Sequence, residues 1–234
     1  MSLEELDPNN QRDLIPATAS HGDAKAAPPV AQDADRRVSL KHFDRSAFDR
    51  GAGVLKEACW LLIRRLFFEP SWLPASRLRC WLLRRFGATI GRGVVIKPGV
   101  RIALPWRLHV GDHAWLGEDA YLLNLAPITI GPDACISQRA FLCTGNHDYT
   151  SPSFDLLVSP IRIEEGAWIG AASWVGPGLT VGSHAVLTAG STATRDLAPF
   201  TVYRGNPAQP IRVRNINPGP GLAENSSERI ESGG

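Results

Sequence analysis

Residues 163–197 read IEEGAWIGAASWVGPGLTVGSHAVLTAGSTATRDL. Counting by six from Ile163 meets Ile169, Val175, Val181, Leu187 and Ala193, an aliphatic series. Gly170, Gly176 and Gly182 follow three of these, and four places on from each stand Ala167, Ser173, Leu179, Ala185, Ser191 and Leu197, mostly small. A period of six fits neither the helical repeat of about 3.6 residues nor the two-residue repeat of a long strand. It fits short strands joined by tight corners, three to a coil. The aliphatic residue then points into a narrow core, and the small residue fills the place where a larger one would clash. Each flat side stacks on the next coil at the ~4.8 Å spacing of paired strands.

The same frame runs upstream. Ile90, Ile96 and Ile102 form one triplet, Val110, Leu116 and Leu122 the next, and Ile130, Ile136 and Leu142 a third. The triplets start 20 residues apart, with the extra residues at the Pro105-Trp106 and Ala126-Pro127 corners. Such regularity is the mark of a solenoid and predicts an all-β, single-stranded parallel β-helix. One interval departs: Ile130 to Ile163 spans 33 residues, fifteen more than one coil. The excess is an ejected loop over 145–160, GNHDYTSPSFDLLVSP. Loops of this length on a solenoid collect on a functional face.

Outside the solenoid the composition changes. Residues 1–40 carry four Lys/Arg against seven Asp/Glu and lack periodicity, so a disordered tail is expected, as it is for 215–234. Residues 41–86 carry ten Lys/Arg against four Asp/Glu. Within them GVLKEACWLLIRRLFF and SRLRCWLLRRF, split by Pro70 and Pro74, predict two amphipathic helices. Two uses stay open for this basic segment. It caps the end of the solenoid, or residues 53–86 make a peripheral contact with an anionic membrane. The domain plan is thus tail 1–40, helical segment 41–86, β-helix 87–214 and tail 215–234.

A net charge of +2 makes no global case for nucleic acid, and none is expected as a partner. The four cysteines, Cys59, Cys80, Cys135 and Cys143, show no metal-ligand spacing and read as reduced. The first forty residues have no apolar signal core, and arginines break every apolar run well short of ~18 residues. The expectation is a soluble cytoplasmic protein, at the inner face of the membrane if 53–86 docks there.

The hexapeptide pattern, the loop with GNHDYTSP and the closing run Tyr203-Arg204-Gly205-Asn206-Pro207-Ala208 resemble hexapeptide-repeat acyltransferases. With RLRCWLLRRFGATIGRGVVIKPGVRI at 77–102, the chain looks like the colanic acid biosynthesis acetyltransferases, relatives of the maltose, galactoside and nodulation O-acetyltransferases, over about residues 41–214. The resemblance implies a left-handed β-helix and a homotrimer with active sites in the clefts between neighbours. It also implies acetyl-CoA as co-substrate, no metal, and a free or lipid-linked saccharide acceptor in exopolysaccharide biosynthesis.

His147 is the candidate catalytic residue. An alcohol is a poor nucleophile at neutral pH, and an imidazole of pKa ~6.5 can take its proton and return it to the leaving thiolate. No GxSxG nucleophile motif is present, which suits direct attack. Asn146 and Asp148 flank His147 and either bind the acceptor, orient the imidazole or shape the turn. Asn124, one coil earlier, stands near a position where relatives carry an acceptor-binding polar residue. Trp168 and Trp174 occupy outward positions, and a tryptophan matching Trp168 lies near the reacting centre in relatives. For the CoA side the resemblance points to Ala171, Ala189 and Thr194 along the pantetheine arm. It points to Arg212, with Arg214 nearby, for the phosphates. Gln209 replaces an arginine of some relatives, which moves that contact toward Arg195 or Arg204. Other classes are weighed beside this one. A γ-class carbonic anhydrase would need three histidines to converge. His109 and His113 are four apart in a coil, a spacing that does not bring side chains together, and His147 lies at least a coil away. A non-catalytic trimeric scaffold is the remaining alternative.

Overall fold

The structure is a computed structural model that describes residues 37–44, 48–73 and 75–217. Most of the two tails expected to be disordered lies outside the described residues. The hexapeptide frame forms a three-sided coil, the left-handed parallel β-helix. The first sheet stacks Thr89–Ile90, Leu108–Val110, Ile128–Ile130, Ile161–Ile163 and Thr180–Val181. The second stacks Val95–Ile96, Trp115–Leu116, Cys135–Ile136, Trp168–Ile169 and Val186–Leu187, and ends in the hairpin Thr201–Gly205 with Ala208–Val213. The third stacks Arg101–Ile102, Tyr121–Leu123, Phe141–Cys143, Trp174–Val175 and Thr192–Ala193.

Register follows the aliphatic positions. Ile90 pairs with Val110, Val110 with Ile130, Ile130 with Ile163, and Ile163 with Val181, all in parallel. These side chains and their counterparts Ile96, Leu116, Ile136, Ile169 and Leu187 are buried in one core. Between the first and second sheets each coil turns through one residue with left-handed backbone: Gly93, His113, Asp133, Gly166, His184 and Phe200, at φ 50 to 67°. At Gly93 and Gly166 glycine is also required by space. A Cβ there would collide with the imidazoles of His113 and His184 in the next coil.

The three sides differ outwardly. The first sheet presents Thr89, His109, Thr129, Arg162 and Thr180, which are polar. The second presents Val95, Trp115, Cys135 and Trp168, while Val186, next in that register, is buried. The third presents Arg101, Tyr121, Phe141, Trp174 and Thr192. Tyr121 stacks on Phe141 with centroids 4.9 Å apart, and the Arg101 guanidinium lies 4.6 Å from the Tyr121 ring centre.

Two helices, α1 (Val54–Phe67) and α2 (Ser76–Arg85), close the N-terminal end of the coil. Trp60, Leu82 and Leu83 on their inward faces, and Phe68 just past α1, are buried in the solenoid core. The Trp60 indole N–H donates to the Ile102 carbonyl at 3.0 Å, and the Gly99 N–H donates to the Phe68 carbonyl at 2.6 Å. Arg79 is buried and donates to the carbonyls of Phe67 (2.9 Å), Ile96 (3.2 Å) and Leu73. Desolvation lowers its pKa from the ordinary value, and the three carbonyls replace the lost water. At the other end the buried Tyr203 ring accepts the Ala198 N–H on its hydroxyl at 2.9 Å, closing the last coil.

Candidate active site

After Phe141–Cys143 the chain leaves the coil as a hairpin. Gly145–His147 pairs antiparallel with Leu156–Val158, His147 facing Leu156 in register. Its root is rigid: the Ser159 N–H donates to the Thr144 carbonyl at 2.9 Å. The buried Thr144 hydroxyl donates to the Leu123 carbonyl at 2.7 Å and accepts the Ala126 N–H at 2.9 Å. At the tip the Asp148 carboxylate accepts the Thr150 N–H at 2.9 Å, the Thr150 hydroxyl and the Ser151 N–H. These bonds, the Thr150 hydroxyl first, hold its pKa below the ordinary carboxylate value. Asp148 therefore shapes the turn, the use that aspartate commonly serves in loops.

The His147 ring is held on more than one side. Phe154 stacks on it with centroids 4.3 Å apart and planes at 8°. Nδ1 lies 2.8 Å from the Phe154 carbonyl oxygen. A carbonyl can only accept, so in the neutral imidazole the proton sits on Nδ1 and the lone pair on Nε2. Phe154 has φ +54°, an uncommon backbone for an aromatic residue, and that geometry turns its carbonyl onto the imidazole. Phe43 comes from the N-terminal segment, its ring centroid 5.8 Å from that of His147. The Ser39 N–H donates to the Pro152 carbonyl at 2.8 Å and fastens this segment to the loop. Neither phenylalanine was marked in the sequence, because no periodicity or motif links Phe43 to residues a hundred positions on.

The other named residues fall in different places. Asn146 is exposed, its Oδ1 accepting the His147 N–H at 2.8 Å. Asn124 is buried, and its amide meets the Leu104 backbone twice: Oδ1 accepts the Leu104 N–H at 2.9 Å and Nδ2 donates to the Leu104 carbonyl at 2.6 Å. The inserted corner turns this side chain inward, where it satisfies backbone that a tight corner would leave unpaired. Trp168 is half-exposed on the second sheet, its indole N–H donating to Ser137 Oγ at 2.8 Å. Ala171 and Ala189 sit on successive coils at the edge between the second and third sheets, joined by a 2.8 Å bond from the Gly190 N–H to the Ala171 carbonyl. Neither the Ala171 nor the Ala189 N–H has a backbone partner among the described residues. Among the described residues no three His, Cys, Asp or Glu gather as a metal would need, and His109 lies outward on the first sheet.

The loop leaves the edge shared by the third and first sheets. In a triangular cross-section that edge is opposite the second sheet, which carries Trp168. Within one chain, the root of the His147 loop and the face that carries Trp168 therefore lie on opposite sides of the coil.

The hexapeptide repeat of succinyl-transferase matches residues 160–195. The Escherichia coli (strain K12) protein named colanic acid biosynthesis acetyltransferase WcaF is 43% identical over 165 residues, which is 70% of this chain and 91% of that protein. The chain belongs to this acetyltransferase family. A maltose O-acetyltransferase from Clostridium difficile 630 resembles the acetyltransferase with a TM-score of 0.62 at 26% identity, over 70% of this chain and 88% of the other. A hexapeptide-repeat acetyltransferase from Vibrio cholerae, complexed with acetyl coenzyme A, shares the fold with a TM-score of 0.63 at 24% identity, over 78% and 98%.

At the C-terminal end of the acetyltransferase, Thr194 and Arg212 are exposed. Arg195 donates to Gln209 Oε1, and Gln209 stands opposite Arg204 in the backbone register of the closing hairpin. Arg214 instead donates to the carbonyls of Gly166 (2.9 Å) and His184 (3.0 Å), a structural task at the coil corner.

Proposed function

We propose that this acyltransferase moves the acetyl group of acetyl-CoA onto a sugar hydroxyl, in the assembly of an exopolysaccharide, with His147 as general base. The observation that carries the reading is the 2.8 Å contact between His147 Nδ1 and the Phe154 carbonyl, which leaves Nε2 as a proton acceptor. Nε2 takes the hydroxyl proton as the oxygen attacks the thioester carbonyl. The tetrahedral intermediate then collapses, the C–S bond breaks, and the imidazolium returns the proton to the departing thiolate. The products are an O-acetyl sugar and free CoA. Asn146 and Trp168 are the residues proposed to meet the acceptor. The free amides of Ala171 and Ala189 suit the carbonyls of a pantetheine arm, with Thr194 further along. Arg212, and Arg195 held by Gln209, suit the phosphates.

The site is proposed to form between copies in a homotrimer. The placing of the loop root opposite the Trp168 face within one chain supports this, as does the apolar column of Val95, Trp115, Cys135 and Trp168 on the second sheet. Reaction in the cytoplasm, on a free or lipid-linked saccharide, completes the reading. It is tested by thiol release from acetyl-CoA with a panel of sugars and sugar-lipids, for wild type and His147→Ala. The expected result is a rate loss of ~10²-fold or more with unchanged melting. Full turnover by the folded variant would remove His147 from the mechanism.

A further inference from the structure

Helix α1 is apolar on both sides. Trp60, Ile63 and Phe67 face the coil, while Val54, Leu55, Leu61, Leu62 and Leu66 are between 50 and 85% exposed. At about 100° per residue these five and Arg65 form one continuous outward face. Trp72, between the helices, is 77% exposed. The outward face of α2 is Arg77, Trp81, Arg84 and Arg85. Glu57 is paired with Arg50, and Glu69 with Arg64 and Arg65. Among the described residues Arg77 and Arg85 have no acidic partner, so the surplus charge at this end is uncompensated.

Scattered apolar side chains on a surface are ordinary, but a contiguous face rimmed by arginine and tryptophan marks a contact. A second copy packed here by two-fold symmetry would bring the same unpaired arginines together. An anionic bilayer supplies the opposite charge, an apolar layer for the leucines and an interface for the tryptophans. No helix among the described residues is long and apolar enough to cross a membrane, so the contact is peripheral. We propose that the helix-capped end of this protein binds the surface of an anionic lipid bilayer. Leu55, Leu62, Leu66 and Trp72 enter the interface, and Arg77 and Arg85 meet the headgroups. The proposal does not depend on the role given to His147.

The test is co-sedimentation of the full chain with vesicles of phosphatidylcholine alone and of phosphatidylcholine mixed with phosphatidylglycerol. Binding about tenfold stronger to the anionic vesicles, and weaker at high salt, is expected. The double variants Leu62→Gln/Leu66→Gln and Arg77→Gln/Arg85→Gln alter only exposed positions and should each lose about tenfold in binding with unchanged melting. Three results overturn the proposal: no binding to either vesicle, equal binding that both variants retain, or self-association abolished by Leu62→Gln/Leu66→Gln without lipid binding. The last assigns the face to a second copy.

Discussion

The His147 ring is held by two aromatic rings and one carbonyl. The nearest acid in sequence, Asp148, accepts from Thr150 and Ser151 through its Oδ1. On the proposed mechanism, orientation of the imidazole rests on Phe154 and Phe43. Phe43→Ala should lower kcat about tenfold and leave the KM for acetyl-CoA unchanged, since the loss is one of imidazole placement. Steady-state kinetics with both substrates varied would check this, and a kcat within twofold of wild type would free Phe43 of that task. Asp148 makes a separate prediction. Its folded pKa is lowered, so its contribution is complete above the ordinary aspartate value of about 3.9 and is lost as pH falls through the lowered folded value. Hydrogen exchange at Thr150 and Ser151 should show the turn opening in that acid range. In Asp148→Asn, which keeps an acceptor but does not titrate, the acid step should vanish.

At the scale of the coil, the corners carry constraints that the aliphatic repeat does not reveal. Gly166 has left-handed backbone, and the His184 imidazole of the next coil stands where its Cβ would be. Gly166→Ala should cost roughly 1–3 kcal/mol in urea unfolding. His184→Ala in the same chain should recover the steric part and leave a backbone penalty of about 1 kcal/mol, a coupling that a double-mutant cycle measures. Similar reasoning explains Asn124. A polar residue at an inserted corner reads alike in sequence whether it faces a ligand or the backbone, and only the direction of the corner distinguishes them. Here it faces Leu104.

At the scale of the whole molecule, the polar first sheet contrasts with the tryptophan-bearing second. If the second sheet packs against neighbouring copies, Trp115→Glu would bury an unpaired carboxylate in an apolar contact. The expected outcome is loss of the three-copy mass in light scattering, with one copy remaining folded. An unchanged mass would put the interface elsewhere.

The six-residue period was enough to read the solenoid, its core positions and the ejected loop, because a buried side chain every sixth residue admits few other geometries. His147 was legible for a related reason: the loop that breaks the period announces itself, and it holds one histidine. The partners of that histidine were not legible. Phe154 acts through its backbone carbonyl and an unusual φ, and Phe43 reaches the ring across a hundred residues of chain. Contacts of both kinds depend on where the chain returns in space, and no local pattern encodes them. The helical segment shows the same division. Its apolar spacing predicted helices, but the folded coil determines which apolar face is buried and which is left for a partner, because one end of a prism can cover only one side of each helix.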